Sequence, residues 1–357
     1  MSETPLLEIH DLAVSFPGSE GAAQRVHAGA WVNLTIYPRQ TLALVGESGS
    51  GKSVSALSTL RLIPTPPGRY DGGRILWRSS ADAPTVDLLS LDEKRMRHVR
   101  GNDIAMIFQE PMTSLNPVYT IGDQILEAIL LHQKVPRREA VQIAIKALND
   151  VGIADATRRM DEYPHQLSGG MRQRVMIAMA LSCQPKLLLA DEPTTALDVT
   201  IQAQILELLR SLQHEHDMAV LLITHDLGVV AENADVVAVM YAGRIVEYAS
   251  VFDLFERPRH PYTRGLLASI PTLGGRARRL PTVVDGATIP EDFPDQFTVR
   301  PHEPVESSGA RAADPDERLH EIEPQHWVLC KHRSGDASKA TRPDLPYRRP
   351  VATASPA

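Results

Sequence analysis

Eight consecutive residues, Gly46, Glu47, Ser48, Gly49, Ser50, Gly51, Lys52 and Ser53, set glycines, a lysine and a hydroxyl at the spacing of a phosphate-binding loop. An apolar run, Thr41 to Val45, precedes them and a helix-like segment, Val54 to Leu62, follows, which is the strand-loop-helix setting that such a loop requires. The glycines let the backbone curl so that successive N–H groups point inward, and the helix adds the positive end of its dipole. Lys52 would then reach the β- and γ-phosphates of a nucleoside triphosphate, and the Ser53 hydroxyl would hold Mg²⁺. The plain alternative is a glycine-rich turn before a helix, and the rest of the chain weighs against it.

Further along, short apolar runs end in residues suited to the same chemistry. Ile104 to Phe108 stops at Gln109, which could ligate Mg²⁺ or orient a water, although a lone glutamine reads equally as surface polarity. Leu187 to Ala190 ends in Asp191 and Glu192. At the C-terminal end of a central parallel strand, the first carboxylate can support the metal and the second can polarise an attacking water. Ala219 to Ile223 ends in Thr224, His225 and Asp226. Leu167 to Arg174 reads LSGGMRQR, in which Ser168 is a good helix cap and Gly169 and Gly170 admit an anion at the dipole's positive end. Taken alone these three residues read as plain capping. A second anion site in a chain whose first is complete argues otherwise. Phe16, at the end of a strand upstream of the loop, could stack on a nucleotide base or simply fill a core.

The elements that must position these residues occupy much of a 357-residue chain. Its composition, 43% hydrophobic and 23% charged, is that of a globular protein, and a net charge of −7 argues against a broad nucleic-acid footprint. The two cysteines, Cys183 and Cys330, form no disulfide framework and fit a reducing compartment. The N-terminus shows no secretory pattern, and no apolar run approaches the roughly 20 residues of a spanning helix. Leu6 to Phe16 and Trp31 to Tyr37 read as strands, as does Gly73 to Trp77. Leu91 to Arg100 reads as a short charged helix. Ile121 to Val151 turns helical, with Ile121, Ile125, Leu126, Ile129 and Leu130 on one face and Pro136 opening a second helix. Val236 to Tyr248 reads as a hairpin about Ala242-Gly243. RPRHPYTRGLLASIP is a proline-punctuated helix, and from about Gly274 the chain becomes rich in Pro, Arg, Glu and Ala, ending in a stretch that reads as disordered.

In order, GESGSGKS, Gln109, LSGGMRQ, LLLADE, the loop through Asp198, and His225 resemble the nucleotide-binding subunit of an ATP-binding-cassette (ABC) transporter over roughly residues 6 to 250. LSGG between the phosphate loop and the acidic strand carries that resemblance. FQEPMTSLNP, YPHQLSGGMRQR, ADEPTTALDVT and HPYTRGLL narrow it to the ATPases of bacterial oligopeptide and dipeptide importers. The resemblance implies an α/β phosphate-loop core with a mainly parallel central sheet, an N-terminal antiparallel β subdomain and an inserted helical subdomain at about 110–170, all within residues 1–250. It further implies a C-terminal extension over 251–335 and a disordered tail over 336–357.

It also implies roles. Lys52 and Ser53 bind phosphate and metal, Gln109 senses metal and couples to the membrane subunit, and Asp191 supports Mg²⁺. Glu192 is the general base, His225 the γ-phosphate contact, Asp198 a residue at the dimer seam and Phe16 the adenine-stacking aromatic. Ser168 to Gly170 bind the γ-phosphate of ATP held by a second ATPase, identical or sibling. The implied setting is peripheral, on the cytoplasmic face of the membrane, beneath two integral-membrane permeases served by an extracytoplasmic solute-binding protein, with no nucleic acid. Related importers carry nickel or sugars, and an exporter ATPase shares the catalytic motifs. A soluble ABC ATPase would bring tandem cassettes, a long coiled coil or basic surfaces, none of which the sequence shows. Many members bind an iron-sulfur centre after the HPYT helix. Here Asp295 and Pro301 stand where cysteines would be sought, and two cysteines fall short of the four or so that a cluster needs, so no cluster is expected.

Overall fold

The structure, a computed structural model, describes residues 4–18, 25–109, 114–195, 197–270, 283, 287–299, 316–333 and 340–344. Strands β1 (Leu7–Pro17) and β2 (Arg25–Ile36) pair antiparallel, and β4 (Arg69–Trp77) and β5 (Val86–Asp87) extend them into a four-stranded sheet. The larger sheet is built around β3 (Thr41–Val45), β6 (Ile104–Ile107), β7 (Leu187–Asp191), β8 (Ala219–Ile223) and β9 (Val236–Tyr241), all parallel in the order β9-β3-β8-β7-β6. Every residue of β3, β7 and β8 is buried, and helices or the first sheet cover both faces. That explains why these strands read as continuous apolar runs rather than alternating ones.

One face packs against the antiparallel sheet through Leu7, Leu34, Leu42 and Leu221. The other packs against helices α2 (Ile121–His132), α3 (Arg137–Asp150) and α4 (Gly169–Leu181), through Ile125, Ile129, Leu148, Ile177 and Leu188. Leu130 departs from the expected face: it is 38% exposed, because Ile121, Ile125 and Ile129 take the inward stripe and Leu130 lies about 100° beyond Ile129 on the helix.

Parallel pairing aligns the C-terminal ends of these strands at one edge, and that is where ligands of open α/β sheets bind. Gly46 follows β3, Gln109 lies just beyond β6, Glu192 follows β7, and His225 lies just beyond β8.

The C-terminal extension supplies more than helix. Strand β10 (Arg244–Ser250) closes the hairpin with β9, and β13 (His326–His332) pairs antiparallel with it. β12 (Arg318–Glu323) and the short β11 (Phe297–Thr298) add to β13. The sequence reading gave β10 as the second arm of the hairpin and missed β11, β12 and β13. Residues 340–344, within the stretch read as disordered, lie back on both sheets: Thr35 Oγ1 of β2 donates to the Pro343 carbonyl at 2.7 Å and Trp327 Nε1 of β13 to Thr341 Oγ1 at 3.0 Å. The remainder of 336–357 lies outside the described residues.

Candidate nucleotide site

The loop after β3 depends on its glycines for two different reasons. Gly46, Gly49 and Gly51 have φ of 149°, 80° and 102°, a region costly for side-chain-bearing residues. At Gly46 an added Cβ would also lie 2.0 Å from the Met240 carbonyl, and at Gly51 1.9 Å from that of Ala28, whereas at Gly49 it would meet nothing within 4 Å. The loop is thus pressed onto β9 and β2 below and open above. Gly243, in the β9–β10 turn, donates its N–H to the Ser50 carbonyl at 2.9 Å. Ser50 is buried, and its Oγ has no hydrogen-bond partner among the described residues, so a donor is held in reserve under the loop.

Helix α1 (Lys52–Thr59) starts at the loop's end. Lys52 is buried, with Nζ donating to the carbonyls of Gly46 and Glu47 at 2.8 Å each. Burial lowers its pKa, against the opposing charges of Glu192, Asp191 and Glu47. Ser53 Oγ lies 3.1 Å from Asp191 Oδ1. Burial raises the Asp191 pKa, the Ser53 bond and the charge of Lys52 pull it down, and the neighbouring Glu192 charge adds to the rise. A carboxylate so destabilised, beside a hydroxyl, suits a bound cation.

Glu192 is the hub. Its Oε2 accepts from Gln109 Nε2 at 2.9 Å and from Thr195 Oγ1 at 2.8 Å, and its Oε1 lies 3.3 Å from His225 Nδ1. Burial would raise its pKa, but the bonds from Thr195 and His225, the His225 charge and the Gln109 bond hold it below the usual carboxylate range. It is therefore ionised at neutral pH. Glu192 also has φ of 46°, a strained value for a non-glycine residue. Of the roughly four lone-pair positions on a carboxylate, three are engaged by the described residues, which leaves one on Oε1 for a water.

The two family models that match are described as "ABC transporter", over residues 30–195, and "Oligopeptide/dipeptide transporter, C-terminal region", over residues 246–298. The oligopeptide transport ATP-binding protein of Bacillus subtilis is 47% identical over 346 residues, 96% of this chain and 92% of that one. The chain belongs to the ATP-binding subunits of ABC transporters. A putative peptide import ATP-binding protein of Brucella melitensis is 57% identical over 274 residues, 77% of this chain and 80% of the relative. The fold is shared with a dimeric ATP-binding cassette bound to ADP and phosphate, at a TM-score of 0.59 and 24% identity over 69% of this chain and 99% of that one. It is shared likewise with cbiO1 of Clostridium perfringens, at a TM-score of 0.58 and 27% identity over 72% of this chain and 93% of that one. As a member of this family the chain is a transport ATPase that binds and hydrolyses ATP.

The ABC ATPase brings six of the expected residues into one network: Lys52, Ser53, Gln109, Asp191, Glu192 and His225. The LSGG turn stands outside it. Ser168 Oγ caps its own helix, accepting the Met171 N–H at 3.3 Å, while Ser168 and Gly169 are exposed and an added Cβ on Gly169 would meet nothing within 4 Å. Gly170 abuts Ile201, whose N–H is in turn capped by Asp198 at 3.0 Å, so the turn and the helix after the acidic loop meet at one exposed surface. Phe16 is half-buried opposite Val26 on β2, two residues from the Ala28 carbonyl that presses on Gly51.

Thr195 escaped the sequence reading. Its signal, a hydroxyl three residues after a carboxylate, is a common turn pattern and points to no chemistry by itself. Gln173 also escaped it: buried on α4, it donates from Nε2 to the Pro193 carbonyl and so ties the signature helix to the acidic loop. In the extension, Cys330 sits among Phe297, Val299, Val328, Phe293 and Ile322. Burial, with the charge of Glu317, pushes its thiol up to about 12. Pro301 lies outside the described residues. Among the described residues no helix is long and apolar enough to cross a membrane.

Proposed function

We propose that this subunit drives uptake of oligopeptides or dipeptides through two membrane permeases, using ATP bound in its own phosphate loop and completed by the LSGG turn of a second ATPase domain. Lys52 and the loop N–H groups hold the phosphates. Ser53, Asp191 and the side-chain oxygen of Gln109 would hold Mg²⁺, which supplies charge neutralisation when bound. Glu192 takes a proton from water as the water oxygen bonds to the γ-phosphorus and the bond from that phosphorus to the β,γ-bridging oxygen breaks. His225 orients that carboxylate and faces the γ-phosphate. The observation that carries this reading is the convergence of Gln109, Thr195 and His225 on one ionised carboxylate at the sheet edge.

The exposed LSGG turn supports the shared site, since a γ-phosphate must be held from both sides to leave bulk water. The peptide substrate follows from the names of the relatives and from the match of the extension. A solute-binding protein outside the cell and a position on the cytoplasmic membrane face complete the reading. The residue boundaries proposed are 1–250 for the cassette and 251–335 for the extension.

Photo-crosslinking of a labelled ATP analogue to each separated ATPase of the assembled transporter tests it, alongside ATPase rates. Lys52→Ala should abolish labelling of this subunit. Gly169→Asp should preserve labelling here and impair hydrolysis at the partner's loop, where the new carboxylate repels the γ-phosphate. Loss of labelling here with hydrolysis spared at the partner's site would overturn the shared site.

A further inference from the structure

Tyr262 lies 215 residues beyond the phosphate loop in sequence, in the His260-Pro261-Tyr262-Thr263 segment, yet its hydroxyl accepts the backbone N–H of Glu47 at 3.1 Å. Glu47 is the second residue of the loop. Its carbonyl accepts Lys52 Nζ at 2.8 Å and the Ser50 N–H at 3.2 Å. The start of the loop is therefore held on both sides of one residue, by the extension at its N–H and by the phosphate lysine at its carbonyl. Gly46 and Gly49 flank this point with little conformational preference of their own, so the shape of the loop depends on such contacts.

The tyrosine is itself rigidly placed. It is fully buried, with its ring centroid 4.5 Å from that of Tyr241 at the end of β9. It sits in the first turn of helix α5 (Pro261–Ala268), where its N–H is capped by His260 Nδ1 at 3.1 Å. The N–H groups of Arg259 and His260 are fixed in turn by the buried Glu247 carboxylate at 2.7 and 2.9 Å. Burial, then the charge of Glu47, raises the phenol pKa, which keeps the hydroxyl protonated at physiological pH.

We infer that Tyr262 is a positioning residue through which the C-terminal extension sets the start of the phosphate loop and so raises the subunit's affinity for ATP. The inference rests on the loop being the ATP site. The test compares the full chain with Tyr262→Phe, Lys52→Ala and Leu266→Ala, the last removing an apolar contact of the same helix without touching the loop. A fluorescent ATP analogue with Mg²⁺ is titrated against each, and thermal midpoints are taken without nucleotide. Tyr262→Phe should weaken binding about three- to tenfold, the effect of one neutral hydrogen bond, while Leu266→Ala lowers the midpoint and leaves affinity unchanged. Lys52→Ala should abolish binding. If Tyr262→Phe binds within about twofold of wild type while Lys52→Ala is dead, the positioning role is wrong and the ATP site stands; about twofold falls under the low end of what one neutral hydrogen bond contributes. Wild-type binding by Lys52→Ala would instead overturn the ATP site itself. If the phenylalanine variant does not fold, Tyr262→Met also lacks the hydroxyl and is judged by the same criterion.

Discussion

Two Glu–His pairs sit on the same sheet and do opposite things. Glu192 and His225 lie 3.3 Å apart at the C-terminal edge, with side chains 13% and 65% exposed. Glu247 of β10 and His326 of β13 lie 2.6 Å apart, with side chains 0% and 1% exposed. The first carboxylate sits on a strained residue beside water and keeps a lone pair for a reactant. The second is sealed from water with His326 and two backbone N–H groups on its oxygens, and so fastens the extension to the cassette. Residue type does not separate a reactive pair from a structural one here. What separates them is whether water and ligand can reach the oxygens, and strand position decides that: an edge past a parallel strand in one case, the middle of an antiparallel pair in the other.

The largest effect expected from this contrast is kinetic. Glu192→Gln keeps the size and the acceptor oxygen but removes the base, so ATP hydrolysis in the assembled transporter should fall about 10²–10⁴-fold while nucleotide binding persists and an ATP-bound dimer accumulates. Its unfolding free energy should change by less than about 1 kcal/mol, as for partly exposed sites generally. Near-normal turnover would remove Glu192 from the role of base.

Second in size is the structural pair. Glu247→Ala leaves His326 and the N–H groups of Arg259 and His260 buried without their acceptor, which should cost about 3–5 kcal/mol in a denaturant titration. The contrast with Glu192→Gln is the point of the measurement: equal stability losses in the two variants would erase the distinction between the pairs.

The sequence showed one of these pairs and hid the other, for a physical reason. Leu187–Asp191 and Ala219–Ile223 are buried on both faces, so each reads as an apolar run, and the polar residue ending each run stands out. Gln109 and His225 could be placed in the same way. The seam of the extension lacks that signal. Strands β12 and β13 interleave apolar residues with Arg, Glu, Lys and His within a Pro- and Arg-rich stretch, and several of those polar residues are buried. His320 and His326 are 2% and 1% exposed, and Arg244 and Glu317 form a buried ion pair at 2.8 Å. Glu317 and His326 are buried because each has a partner far along the chain, Arg244 and Glu247, which no local pattern encodes. The same holds for Tyr262, whose contact with Glu47 depends wholly on tertiary placement.

The smallest expected difference lies in pH dependence. Both glutamates have pKa values lowered from the ordinary 4.5: for each, burial pushes upward and hydrogen bonds, led by Thr195 for Glu192 and by His326 for Glu247, outweigh it. A carboxyl whose folded value lies below its unfolded one contributes stability that is complete above the unfolded value and is lost as pH falls through the folded one. Acidification below about 4.5 should therefore destabilise the wild type through Glu247, by about 1.4 kcal/mol for each unit by which its pKa is lowered. Glu247→Gln, less stable than wild type at neutral pH, lacks this titration, so its unfolding free energy should fall less steeply between about pH 5 and pH 3 and the two curves should converge. Glu192→Gln should follow the wild-type slope more closely, because water screens the interactions of its partly exposed carboxylate. The measurement is denaturant unfolding of the three proteins at half-unit pH steps. Parallel curves for wild type and Glu247→Gln across that window would mean that the buried carboxylate gains no more from its partners in the fold than from water in the unfolded chain, and Glu247 would then have to be read as a spacer rather than as the fastening of the extension.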